Sequence, residues 1–172
     1  MRLILASASH RRRELLSLLK RDFSCRAMDV DESVLGDELP ANYVCRLARA
    51  KAMACDDPEA LILAADTTVV LGGEILCKPR DADHARQMLS ALSGQTHEVL
   101  TALCLRQGKT LREVLVQTTV SFAELSADTI AAYLATDEPW DKAGAYGIQG
   151  MAGSFVRAIT GSYSAVVGLP LA

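Results

Sequence analysis

Aromatic side chains are scarce in this sequence, 5% of 172 residues, which excludes a nucleic-acid surface built on many stacking rings. A large excess of positive charge is missing as well: 18 lysines and arginines face 21 aspartates and glutamates, for a net charge of −3. A general polyanion binder is therefore not expected, and any phosphate affinity must come from a local site. The five cysteines (Cys25, Cys45, Cys55, Cys77 and Cys104) form no Cys-x-x-Cys pair and are odd in number, which reads as free thiols in a reducing compartment. His10, His84 and His97 have no H-x-x-x-H or H-E-x-x-H spacing, so a zinc site is not expected. No apolar stretch reaches membrane-spanning length, and the short segment Leu3 to Ala6 is too brief for a signal peptide. The expectation is a cytoplasmic protein with neither nucleic-acid nor membrane partners.

Half of the residues are hydrophobic, and the length suits one domain, residues 1–172, with a real core and two lobes. Leu3 to Ala6 reads as a short buried strand that breaks at Ser7-Ala8-Ser9. A helix then carries Leu15, Leu16, Leu18 and Leu19 on its apolar face. After an acidic loop, Asp29 to Glu38, a helix from about Ala41 to Cys55 places Val44, Leu47, Ala48 and Ala52 at helical spacing. Leu61 to Leu71 is a long β-branched run, and Gly72-Gly73 turns it into Glu74-Ile75-Leu76. A helix from Asp81 or Asp83 buries Ala85, Met88, Leu89 and Leu92 and stops at Gly94. Strands at Val99 to Leu105 and Val114 to Phe122 flank a turn at Gln107-Gly108. Ser126 or Asp128 caps a helix with Ile130, Tyr133 and Leu134, and a final strand falls at Phe155 to Ile159. Hairpins mixed with helices predict an α/β fold on a mixed sheet.

Several polar residues sit where bland chemistry would not place them. Ser7-x-Ser9-x-Arg11-Arg12-Arg13 opens a helix, where the exposed N–H groups and helix dipole already favour an anion. Three arginines there oppose the dipole unless a phosphate offsets them, and arginine grips phosphate with a two-point fork. Asp66 interrupts the apolar run Leu61 to Leu71; it must be exposed, hydrogen-bonded or neutralised by a cation such as Mg²⁺. The cluster Asp29-Val30-Asp31-Glu32 acquires meaning only if folding brings Glu32 near Asp66, where the two could hold a metal. Lys51 falls on the apolar stripe of its helix and either snorkels outward or points into a cleft as a phosphate ligand. Lys78, pinned before Pro79, poses the same choice. The stretch Asp141 to Gly150 spaces three glycines around Tyr146 and Gln149, which suits close backbone approach to a ligand.

Taken in order, Leu5-Ala-Ser-Ala-Ser-His-Arg-Arg12, Asp31-Glu32, Arg46-Leu-Ala-Arg-Ala-Lys51, Ala65-Asp-Thr67, Lys78-Pro-Arg-Asp81, Leu92-Ser-Gly-Gln-Thr-His97, Asp141 to Gly150 and Gly161-Ser-Tyr through Val167-Gly-Leu-Pro170 span essentially the whole chain. This ordered set resembles the Maf family of nucleotide pyrophosphatases, also called septum-formation-inhibitor-like proteins. The resemblance implies an elongated two-lobed α/β fold with a central cleft, similar to inosine-triphosphate pyrophosphatases. It also implies hydrolysis of nucleoside triphosphates to monophosphate and pyrophosphate, with Mg²⁺ or Mn²⁺ as cofactor. On that basis Asp66 corresponds to the catalytic base and a metal ligand, with Glu32 as its metal-binding companion. Ser7, Ser9, Arg11, Arg12, Lys51 and Lys78 correspond to triphosphate ligands. Arg11, Thr67 and Gln149 resemble the branch acting on dTTP and UTP, whose pyrimidine imide edge a glutamine amide can match. Two other readings stay open: a 7-methyl-GTP or non-canonical purine triphosphate pyrophosphatase, and a nucleotide-binding regulator of cell division with little catalysis. The chain departs from the family at His10, where proline is usual, which frees the loop and adds a pH-sensitive donor. It also stops at Gly168-Leu-Pro-Leu-Ala172, where members continue into a C-terminal helix, so an apolar face bearing on stability and homodimer formation is expected to be uncovered.

Overall fold

A computed structural model describes residues 1–172. Its frame is a seven-stranded mixed sheet in which six strands follow the order β2-β1-β3-β5-β6-β7 and the seventh, β4, pairs with β3 off that path. The strands are β1 (Leu3–Leu5), β2 (Phe23–Cys25), β3 (Leu61–Leu71), β4 (Glu74–Leu76), β5 (Thr96–Gln107), β6 (Thr110–Phe122) and β7 (Val156–Thr160). The helices are α1 (His10–Ser17), α2 (Pro40–Ala54), α3 (Ala82–Leu92), α4 (Ala127–Leu134) and α5 (Tyr163–Val167). β1 runs parallel to β2 and β3, whereas every other pairing is antiparallel. The mixed sheet expected from hairpins interleaved with helices is therefore present.

The long central strand β3 creates the functional geometry. One edge pairs with β5 from Leu61 to Val70. The opposite edge is shared: β1 covers Leu61 to Leu63, and β4 covers Val69 to Leu71. Between them, Ala64 to Thr68 has no strand partner on that side, and this gap opens the cleft. Side chains alternate between the faces of a strand. Ile62 and Ala64 therefore pack with Val44, Ala48 and Ala52 of α2. Leu63 and Ala65 pack on the other face with Leu15, Leu16 and Val167. A separate core beyond the cleft joins Met88, Leu89 and Leu92 of α3 to Ile130, Tyr133, Phe122 and Phe155. The two lobes are thus built from different clusters and share β3 and β5.

Local signals mark most boundaries as expected. Asp81 caps α3 by accepting from the His84 N–H at 2.7 Å, and Ser126 caps α4 through the Thr129 N–H at 3.1 Å. Three sequence expectations change. The apolar face of α1 does not extend to Leu18 and Leu19, which are 65% and 50% exposed, because the helix ends at Ser17. The strand β2 and the short helix α5 were not anticipated; each is too brief to show a period. The hairpin β5–β6 also runs further toward its turn than the apolar residues suggest. Leu89 is fully buried in the α3–α4 core, so Leu89→Ala should cost about 2–5 kcal/mol. Urea unfolding measures that loss, and a value under 1 kcal/mol would show that the site collapses freely.

Candidate active site

Asp66 lies on the open stretch of β3, on the face turned toward α2, and is 7% exposed. The Lys51 Nζ donates to its Oδ1 at 2.7 Å. The same Nζ lies 2.6 Å from Glu32 Oε1, so one ammonium group bridges two carboxylates. Lys78 Nζ completes the cluster at 3.2 Å from Glu32 Oε2. The choice left open for Lys51 is settled: it is buried and directed into the cleft rather than snorkelling out. Glu32 comes from a long loop, and Tyr43 holds that loop in place by donating its hydroxyl to the Glu32 carbonyl at 2.9 Å.

On the opposite face of β3, the next residue organises the cations. Arg12 Nη2 donates to Thr67 Oγ1 at 3.2 Å, Nη1 to Ser7 Oγ at 3.4 Å and Nε to the Gly168 carbonyl at 2.9 Å. Thr67 Oγ1 is also 3.0 Å from Thr101 Oγ1. Ser9 caps α1 by accepting from the Arg12 N–H at 3.4 Å, and its own N–H donates to Ser7 Oγ at 3.1 Å. The basic first turn is therefore only partly free for an anion. Arg12 is engaged by neutral oxygens, and Arg11 pairs with Asp141 at 3.3 Å. Arg12 has no direct ion pair, only neutral acceptors and the nearby charge of Asp66, so its guanidinium stays available to an oxyanion. His10 sits at the rim, 3.4 Å from Glu14 on its own helix.

These groups line one cleft of about 880 Å³, together with Tyr43, Glu138, Asp141, Lys142, Tyr146 and Gln149. Every sequence-derived site residue, namely Ser7, Ser9, Arg11, Arg12, Glu32, Lys51, Asp66, Thr67, Lys78 and Gln149, faces it. Residues that sequence reasoning missed are Tyr43 and Glu138. Tyr43 had a signal, since it precedes Leu47 and Lys51 at steps of four on α2. Glu138 carries no signal of its own in the sequence.

Burial shapes the electrostatics. Desolvation raises the pKa of Asp66 above the ordinary aspartate value, although Lys51 and Arg12 pull it down. Burial works in the same direction on Glu32, but Lys51 and Lys78 outweigh it and hold that carboxyl below its usual value. The two acids are thus driven apart, the pattern that separates a base from a permanently charged partner. No cluster of three or more His, Cys, Asp or Glu side chains offers a closed metal cage. Two carboxylates, however, fit the donor set of a magnesium-type ion, which takes one or two protein carboxylates and fills its other positions with water and phosphate oxygens. Lys51 occupies the space between them as a positive charge, which marks that space as one that a cation suits.

A mixed sheet flanked by helices, opened at one strand edge into a cleft where the buried Asp66 and the half-exposed Glu32 face basic residues, defines an α/β protein with a central anion-binding type of cleft. The Staphylococcus aureus Ham1 protein shares this fold with a TM-score of 0.51 and 12% identity, over 72% of this chain and 73% of that one. The Maf-like protein family model matches residues 2–172, and the chain belongs to that family. A relative from Anaeromyxobacter dehalogenans (strain 2CP-1), named dTTP/UTP pyrophosphatase, is 57% identical, with 99% of this chain and 89% of the relative covered. Proteins of the same name from Escherichia coli K12 and Yersinia pestis are 52% and 55% identical, each over 98% of this chain and 87% of its own length. No helix is long and apolar enough to cross a membrane.

Proposed function

We propose that this chain hydrolyses dTTP and UTP to the nucleoside monophosphate and pyrophosphate. The observation that carries the reading is the buried Asp66–Lys51 pair bridged on to the half-exposed Glu32, set at the open edge of β3 beside Arg12. The names of relatives above 50% identity supply the substrate class.

In this reading the triphosphate lies along Ser7, Ser9, Arg11, Arg12, Lys51 and Lys78, whose hydroxyls and cations neutralise and orient it. Asp66 takes a proton from the water that attacks the α-phosphorus, and the bond to the bridging oxygen breaks to release pyrophosphate. Its raised pKa makes it a stronger base than a solvated aspartate. Glu32 and Asp66 would hold Mg²⁺ or Mn²⁺, which supplies charge neutralisation and acidifies water when bound. With the carboxylates so engaged, Lys51 would be free to pair with phosphate oxygens in place of Asp66 and Glu32. Arg11, paired with Asp141 of the segment that carries Gln149, selects the base together with Gln149, and Thr67 contributes by fixing Arg12. A cytoplasmic location, where such nucleotides are found, belongs to the same reading.

A panel of nucleoside triphosphates, read as pyrophosphate with and without Mg²⁺, tests it. dTTP and UTP should give one pyrophosphate per monophosphate and lead in kcat/KM, and EDTA should abolish turnover. Release of orthophosphate, or a preference for purine triphosphates, would overturn the assignment.

A further inference from the structure

Glu138 stands outside the constellation described so far, yet it lines the same cleft. Its Oε1 accepts from the Met151 N–H at 2.9 Å. Its Oε2 is buried, without a partner at strict hydrogen-bond geometry, and the carboxylate is close enough to the Tyr133 hydroxyl to add to the rise that burial gives that group's pKa. Gly150 packs directly on this carboxylate: a Cβ there would fall 2.3–2.4 Å from its carboxyl atoms. Only glycine permits so close an approach.

The neighbouring contacts have the same purpose. Tyr133 OH accepts from the Gly147 N–H at 3.1 Å. Lys142 Nζ donates to the Glu138 carbonyl at 2.6 Å, and its stem lies over Gly147, where a Cβ would come within 2.6 Å of Cε. Residues 147–151 are therefore tied at both ends to residues 133–142, by Tyr133 at the start and Glu138 at the finish. Between these ties stands Gln149, exposed in the cleft wall. The backbone on each side of Gln149 decides where its amide points.

We propose that Glu138 is a positioning residue for base recognition. By gripping the Met151 N–H and filling the space beside Gly150, it holds the 147–151 backbone so that the Gln149 amide meets the carbonyls and N–H of a pyrimidine imide edge. The inference rests on the pyrimidine reading of the cleft given above. Glu138 hydrogen-bonds to neither Asp66 nor the phosphate-binding residues, so its loss should loosen the base subsite and spare the chemical step.

The test is steady-state kinetics with UTP, dTTP and GTP for the wild type, Glu138→Ala and Glu138→Gln, with melting temperatures alongside. In Glu138→Ala, KM for UTP and dTTP should rise about tenfold, as expected for one misplaced hydrogen bond, with kcat changed less than about twofold. The kcat/KM preference for UTP over GTP should fall by a similar factor. Glu138→Gln keeps an acceptor oxygen and the same volume, so it should restore wild-type values. Gly150→Ala, which pushes the carboxylate aside without deleting it, should reproduce the loss of preference and serves if Glu138→Ala does not fold. Unchanged KM and preference in Glu138→Ala would overturn the assignment, as would an equal fall in kcat for all three nucleotides together with a lower melting temperature. A wild type with no preference for UTP and dTTP overturns the substrate reading itself. A preference that survives Glu138→Ala overturns the positioning role alone.

Discussion

Asp66→Asn should lower pyrophosphate release by about 10²–10⁴-fold while leaving the melting temperature unchanged or higher. The two halves of this expectation come from the same buried position. Asparagine fills the same space and still offers an oxygen to Lys51, which donates to Asp66 at 2.7 Å. It cannot take a proton from water, so the step assigned to Asp66 is lost. Stability responds the other way because burial raises the pKa of Asp66. A carboxyl whose folded-state pKa exceeds its unfolded value contributes stability below the unfolded value and loses it as pH rises through the folded value. Above that raised pKa the ionised group therefore costs stability that asparagine does not. In the metal-free wild type, stability should fall as pH rises through a value above the ordinary aspartate one. Turnover in Asp66→Asn equal to wild type would place the base elsewhere, and a fall in activity that tracked a fall in melting temperature would make the residue structural.

Lys51→Met should have the largest effect on stability of any single change at the site. Lys51 and Asp66 side chains are each only 10% exposed, whereas Glu32 is 41% exposed. Removing the ammonium leaves a buried carboxylate unpaired beside a second one, at a cost of about 3 kcal/mol, the lower end for a broken buried pair because Glu32 is partly solvated. For a domain of this size that corresponds to a melting temperature lower by roughly 6–12 °C. Methionine keeps the apolar stem on the buried stripe of α2, so lost packing is not the cause. Two controls separate charge from volume. Lys51→Met with Asp66→Asn should recover most of the stability, since no buried charge is then left unpaired. Mn²⁺ should raise the melting temperature of Lys51→Met more than that of the wild type, because the carboxylates would no longer be occupied by lysine. A single variant as stable as wild type, or a double variant no better than the single, would contradict the bridge.

The residues concerned differ in how far the chain alone revealed them. Asp66 was conspicuous because a carboxylate in the apolar run Leu61 to Leu71 needs a partner, and desolvation makes that need independent of fold. The helices α2 and α3 were legible from periodicity, and α3 and α4 from their caps, for the same reason: their signals are local. Glu32 was ambiguous, since acidic loop residues are usually only solvated. Leu18 and Leu19 misled, because apolar spacing alone does not tell where a short helix stops. The strand β2, with three residues and two of them exposed, carried no pattern to read. Glu138 is informative only through Met151 and Gly150, which lie more than ten residues further along the chain.

By itself, then, the sequence determined which residues need special surroundings: a buried acid, a basic helix start preceded by two hydroxyls, a lysine on an apolar stripe and a glycine-spaced segment around Gln149. It determined their elements as well, because helical and strand periods are set by backbone geometry over a few residues. Only the tertiary structure decided that β1 and β4 share one edge of β3 and leave Ala64 to Thr68 open between them. Strand alternation at that gap sends Asp66 toward Lys51 and Thr67 toward Arg12. Whether Lys51 reaches outward or inward, and whether Glu32 meets Asp66, depends on strand order and on a loop anchored by Tyr43. Those are long-range choices that the packing of the whole sheet resolves, and no local propensity encodes them.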